Sequence, residues 1–173
     1  PEANLPFAAG VTFRELFEYA LTETTQKTFA TFSDKLLKDY TYLFELTSPV
    51  NRVVVAYEKF TVTLLGIRHN FDGSEVKDIG IMAAALGVPS PTEYKLSSLP
   101  DLIAFINSHN PLEFEGIVAG QHENNRWRRV KVKHAGYLAL NRIAMQATGA
   151  RALLELVMLG KDDDVKPVLS KFH

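Results

Sequence analysis

Glu115 and the pair Lys131 and Lys133 are the residues of this chain whose types and spacing suit chemistry on phosphate. Lysines two apart on a strand point to one face, so both ammonium groups can grip a single phosphoryl group. Period two over 113–119 puts Glu113, Glu115 and Ile117 on one face, and over 127–134 it puts Trp127, Arg129, Lys131 and Lys133 on one face. If those strands pair as neighbours, a carboxylate suited to a divalent cation or a ribose lies beside two cations suited to phosphate. Such a set stabilises the charge that develops on phosphoryl oxygens during nucleotidyl transfer. Gly116 leaves room for a ligand or metal to approach the backbone. The same stretch, 126–134, also reads as a basic edge strand whose lysines discourage pairing with other chains.

Two strands of this kind need a frame, and the rest of the chain predicts one. Thr12-Phe13-Arg14-Glu15 is a capping box, with Thr12 as N-cap and Glu15 at N3. Phe13, Leu16, Phe17, Ala20 and Leu21 follow at the spacing of one helical face. A second helix is expected over 25–38, burying Phe29, Phe32, Leu36 and Leu37 as plain core packing. From Thr41 the period becomes two, with Tyr42, Phe44 and Leu46 on one face and Thr41, Leu43, Glu45 and Thr47 on the other. Ser48-Pro49-Val50-Asn51 turns the chain, 52–57 and 60–68 read as strands, and Asn70-Phe71-Asp72-Gly73 closes them. A short helix over 78–86 stops at Gly87, and Ser98 with Pro100 opens another that runs to about Ser108. Glu123-Asn124-Asn125 joins the two strands described first, and helices are expected over 136–147 and 151–159, with Gly149 and Gly160 as their caps. Consecutive strands with helices before, between and after them indicate an α+β fold with antiparallel sheet. No Gly-rich phosphate loop occurs in the sequence.

Composition narrows the classes. With 173 residues, 46% hydrophobic and 23% charged, the chain resembles an ordinary soluble globular protein able to bury a core. Its formal net charge of −1 means that affinity for a polyanion must come from local clustering. The absence of cysteine excludes disulfides and thiolate chemistry and is compatible with a reducing compartment. No apolar run approaches the roughly 20 residues that span a bilayer, and Pro1-Glu2-Ala3-Asn4 has no basic-then-apolar leader. The expectation is a cytoplasmic protein with no membrane partner.

Taken in order, the motifs resemble those of the T4 RNA ligase 1 family, within the covalent nucleotidyltransferase superfamily of ligases and capping enzymes. Glu115-Gly116-Ile117-Val118, then Lys131-Val132-Lys133, look like motifs IV and V. Phe44-Glu45, the Pro49-Val50-Asn51-Arg52-Val53-Val54 turn and strand, and Tyr57 resemble motif III. Leu64-Leu65-Gly66-Ile67-Arg68 is similar to motif IIIa, and Tyr137 falls where the family has an active-site tyrosine. The likeness covers Tyr42 to about Tyr137 in the family's order.

This resemblance implies the antiparallel-sheet nucleotidyltransferase fold of ATP-dependent ligase adenylation, present in part and flanked by helices. It implies that Glu45 contacts the ribose of ATP or of an adenylate, and that Glu115 helps hold Mg2+ or Mn2+. Gly116 and Val118 would line the nucleotide pocket, Lys131 and Lys133 would bind the α-phosphate and stabilise adenylyl transfer, and Tyr137 would sit beside the phosphates. Glu45 as a solvated strand carboxylate and Tyr137 as a packing residue at a helix start remain open. Arg52, Arg68, Arg126, Arg128 and Arg129 are candidates for RNA phosphate, with solvated surface as the alternative. The activity implied is RNA repair: joining 5′-phosphate and 3′-hydroxyl RNA ends through lysyl-AMP and RNA-adenylate intermediates.

Family members attack ATP with the lysine of a Lys-x-Asp-Gly motif, and this sequence has none. Asn70-Phe71-Asp72-Gly73 carries asparagine at that place and follows motif III, and Lys161-Asp162-Asp163-Asp164 lacks the glycine. The expectation is therefore a fragment that is inactive alone. Residues 1–148 would be the C-terminal part of an adenylyltransferase domain, and 149–173 a helical segment leading to a missing C-terminal domain. An upstream segment or a second copy of the chain would complete it. Two other readings stay open: a relative of DNA ligases or capping guanylyltransferases, and a non-catalytic nucleotide- or RNA-binding module whose lysines hold phosphate without chemistry. The Pro-x-Asn-Arg turn speaks for the RNA ligase type over the first.

Overall fold

A computed structural model of the chain describes residues 4–5, 8–51, 54–146, 154 and 158. The predicted helix at 151–159 lies outside the described residues except for Leu154 and Met158, which are helical. Arg52, Gly149 and Gly160 lie outside them too. The fold is mixed helix and antiparallel sheet, as expected. It divides into two compact units, Pro1–Asn51 with Tyr57–Glu93 and Gly120–Arg128, and Arg52–Ala56 with Tyr94–Ala119 and Arg129–His173.

In the first unit a short antiparallel pair, β1 (Asn4–Leu5) and β2 (Ala8–Thr12), leads into helix α1 (Phe13–Thr25). The capping box forms as the sequence requires. The Thr12 backbone N–H donates to Glu15 Oε2 at 2.8 Å, and the Glu15 N–H donates to Thr12 Oγ1 at 3.2 Å. Helix α1 ends where Gln26 turns left-handed and its N–H reaches the Thr22 carbonyl at 2.8 Å. That stop overturns the helix expected over 25–38. Only α2 (Phe29–Ser33) is helical there, capped by Thr28, and the following residues close i to i+3 turns instead. Phe32 is buried and Leu36 partly so, but Phe29 and Leu37 are 40% and 58% exposed.

Strands β3 (Tyr40–Thr47) and β4 (Thr61–His69) pair antiparallel from Tyr40 opposite His69 to Thr47 opposite Thr61. Their register shifts between Leu43 and Phe44 and leaves Leu65 unmatched. This bulge explains the spacing of the buried residues on β4, where Val62, Leu64 and Ile67 all reach the core although the last step is three. They pack with Ala20, Leu21, Phe32, Ala83, Leu86 and Val88. Ala83 and Leu86 come from α3 (Gly80–Leu86), which Gly87 ends in a left-handed conformation, as predicted.

The expected strand at 52–57 does not form over its described residues, 54–57, which join no ladder. Val54 is instead buried in the second unit with Tyr137, Ala139 and Leu140, so its β-branched side chain serves packing rather than pairing. That unit holds α4 (Leu99–Asn107), capped by Ser98 Oγ accepting the Asp101 N–H at 3.2 Å, and α5 (Ala135–Gln146). Strands β5 (Gly116–Glu123) and β6 (Arg126–Lys133) pair as a hairpin across Asn124 and Asn125. Both asparagines have positive φ, 51° and 58°, as a two-residue type I′ loop demands. β5 begins three residues later than the sequence suggests, because Asn110 winds 110–114 into a turn. The Glu113 and Phe114 N–H groups both donate to the Asn110 carbonyl, at 3.0 and 2.9 Å.

The first unit's core yields a test. Phe32→Ala should cost about 3–5 kcal/mol by chemical denaturation. Phe29→Ala, which loses one edge-to-face contact with Phe17, should cost no more than about 1.5 kcal/mol. Equal losses would restore the longer buried helix.

Candidate functional site

The base of the β5–β6 hairpin gathers the residues singled out by spacing. Lys131 and Lys133 share a face of β6, and both donate to the same atom. Oε1 of Glu115 lies 2.8 Å from Lys131 Nζ and 2.7 Å from Lys133 Nζ. Glu115 does not stand on a strand, as period two had implied. It occupies the last position before β5, where the His134 N–H holds its carbonyl at 2.8 Å. Glu113, expected on the same face, lies in the 110–114 turn and is exposed.

Gly116 makes this closeness possible. Its φ is +145°, and an added Cβ would lie 2.2 Å from the Val132 carbonyl oxygen and 2.7 Å from Lys133 Cα. The backbone of β6 fills the space beside Gly116, so the expected room for a ligand there is taken up by the protein itself. Val118 is 54% exposed on β5. Tyr137 is buried against Val54 and Leu140, and Lys133 Nζ sits 5.2 Å from its ring centroid, within cation–π range. Tyr137 thus both packs the core and supports one of the two lysines.

Electrostatics follow from the geometry. Partial burial pushes the Glu115 carboxyl up, but the hydrogen bonds and charges of Lys131 and Lys133 outweigh it and hold the group below its ordinary range. Two ammonium groups and one carboxylate leave a net +1. The cluster can attract phosphate, and Glu115 can offer oxygen to a divalent cation.

Four of the other candidates belong to the first unit. Glu45 is exposed in the first unit, on β3 opposite Thr63. Arg68 is exposed on β4, with its guanidinium filling the space beside Gly73. Arg126 donates to the Asp72 carbonyl at 2.9 Å, and Arg128 makes a loose, exposed pair with Glu123 at 3.8 Å.

Spacing alone missed how the hairpin tip is secured. The Glu75 carboxylate accepts the Trp127 backbone N–H at 2.7 Å, the Glu75 N–H donates to the Asn125 carbonyl at 2.7 Å, and Trp127 Nε1 donates to Val76 at 3.3 Å. The lone tryptophan, a donor that needs a partner when covered, was the available signal. Also missed was a row of rings from the segment that precedes Glu115 in the chain. His109 stacks on Phe114 at 4.3 Å and packs on Phe105 at 4.5 Å, with Tyr94 beyond at 4.7 Å from Phe105.

No known family model matches the chain. It is similar to a protein named RNA ligase from Rhodothermus phage RM378, with 28% identity over an alignment 181 positions long that takes in 88% of this chain. The chain spans 40% of the length of that relative. Among the described residues no helix is long and apolar enough to cross a membrane.

Two outcomes test the geometry. Gly116→Ala should destabilise the second unit by at least about 2 kcal/mol, since it adds both a strained φ and a backbone clash; a neutral result in denaturation would mean that β6 does not pass so close. The Glu115 carboxyl is depressed when folded, so its stabilising share is present above its ordinary value of 4.5 and is lost as pH falls through the lowered value. The stability gap between wild type and Glu115→Gln should therefore shrink as pH falls below the ordinary value of 4.5. Parallel pH curves would show the ion pairs to be energetically idle.

Proposed function

We propose that this chain is the phosphate-handling part of an ATP-dependent RNA ligase of the T4 RNA ligase 1 type. The observation that carries the reading is the convergence of Lys131 and Lys133 on one oxygen of Glu115. The likeness to the phage RNA ligase supports it.

In this reading Lys131 and Lys133 hold the non-bridging oxygens of the ATP α-phosphate. An attacking amine forms a P–N bond, the bond to the β-phosphate oxygen breaks, and pyrophosphate leaves with that electron pair. Charge accumulates on the α-phosphoryl oxygens meanwhile, where fixed ammonium groups are worth most. Tyr137 keeps Lys133 in place from below, and Val118 lies along the nucleotide. No Lys-x-Asp-Gly occurs in these 173 residues, so the amine is proposed to come from another segment or copy.

Among the described residues no three His, Asp or Glu side chains form a metal-holding group. A single carboxylate with phosphate oxygens and water is nonetheless a donor set that Mg2+ accepts, and Glu115 fits it. Bound there, the ion would withdraw charge from the phosphate oxygens. RNA 5′-phosphate and 3′-hydroxyl ends are the proposed substrates. The missing Lys-x-Asp-Gly also favours a second reading, a nucleotide- or RNA-binding module without chemistry.

Labelled ATP separates the two readings. With magnesium, the protein in its natural length should form a covalent protein–AMP adduct that survives denaturation, and Lys131→Ala and Glu115→Ala should each slow it at least about 100-fold. The 173-residue chain alone should form none. ATP binding with no adduct in the natural-length protein selects the binding module, and near-normal rates in both variants return these residues to surface charge.

A further inference from the structure

Two ammonium groups aimed at one oxygen, at 2.8 and 2.7 Å, are arranged as they would be around a phosphoryl oxygen. The atom found there belongs to the protein. We infer that Glu115 is the resting occupant of the chain's own anion seat, so that a phosphoryl group enters between Lys131 and Lys133 by displacing its carboxylate. The displaced carboxylate is then free to take a divalent cation, which makes anion and cation binding cooperative. This inference rests on the phosphate role proposed above for the two lysines and adds how that role is gated.

Charge drives the exchange. The three side chains sum to +1, while a pyrophosphate or triphosphate brings at least two negative charges to within hydrogen-bond distance of Glu115. Like charges at such a distance repel, and more strongly near a protein surface than in bulk water. A carboxylate that stays in the seat therefore weakens the phosphate, and one that leaves it gives up two charge-assisted hydrogen bonds.

Geometry allows the exchange without unfolding. The Glu115 backbone is anchored by the His134 N–H at 2.8 Å and by the close fit of Gly116, so only the side chain needs to turn. That side chain keeps 28% of its surface in contact with water, and Lys131 and Lys133 keep 51% and 31%. By linkage, a cation held by the released carboxylate tightens the phosphate by the same factor that the phosphate tightens the cation.

The test is calorimetric titration of the chain with inorganic pyrophosphate, and separately with ATP, each with and without Mg2+. Without metal, Glu115→Gln should bind pyrophosphate at least about tenfold more tightly than wild type, because the competing charge is gone. Mg2+ should tighten binding to wild type more than to Glu115→Gln, and ATP should follow the same order. Glu115→Asp, which keeps the charge on a shorter arm, should bind metal-free pyrophosphate more tightly than wild type and less tightly than Glu115→Gln. It decides the matter if thermal melts show that Glu115→Gln does not fold. If Glu115→Gln or Glu115→Asp binds no more tightly than wild type while Lys131→Ala still weakens binding, the lysines hold phosphate but Glu115 does not compete, and this inference alone falls. If Lys131→Ala and Lys133→Ala change neither pyrophosphate nor ATP binding, the proposed function falls with it.

Discussion

A single carboxylate oxygen with two ammonium donors is a demanding arrangement, and much of the second unit can be read as its consequence. Both lysines must stand on one face, so they must be two apart on an extended strand. The carboxylate must come from the neighbouring chain segment at the level of both, and Glu115 does so from the position just before β5, with its carbonyl tied to the first N–H beyond β6. The strands must then meet so closely that the next residue has no space for a side chain, and Gly116 supplies that. Tyr137, four residues past Lys133, closes the assembly from inside the core.

The far end of the hairpin bears on the same requirement. Side chains alternate along a strand, so a slip of one residue in pairing would turn Lys131 and Lys133 to the opposite face. The tip resists such a slip. Asn124 and Asn125 accept the left-handed conformations of a type I′ loop, and Glu75 receives the Trp127 N–H while returning its own to Asn125. Trp127 and Lys133 are six positions apart on one strand and so share its phase.

Local chemistry was legible where it is self-contained. The capping box at Thr12, the Ser98 cap, the stop at Gly87, the alternation on β3 and the pairing of Glu115 with both lysines follow from residue type and spacing. What escaped depended on partners distant in sequence or on competing turns. Gln26 gives no turn signal, yet its left-handed conformation delays the second helix to Phe29, and i to i+3 turns end that helix at Ser33. Val54 has strand propensity but is drawn into a core formed by Tyr137 and Leu140. At Gly116 the sequence revealed that space was needed and not what fills it, since the occupant is the backbone of a strand sixteen residues on.

A basic strand invites a plainer explanation, and the distribution of its charges decides against the simplest form of it. Five of the eight residues of β6 are cationic in a chain of net charge −1. Were they only a solvated edge, each would extend into water, and their order along the strand would be of no consequence. Instead, Arg126 is held by the Asp72 carbonyl, Arg128 faces Glu123 loosely, and the last two converge inward on one carboxylate with Lys133 over an aromatic ring. Edge protection needs charge and nothing more, whereas a shared acceptor, a glycine made obligatory by backbone contact and a supporting ring are the parts of a seat. An isolated lysine in such a place would be neutralised by Glu115. With two, a positive charge remains, which is the minimum for drawing in an anion that can take the carboxylate's place.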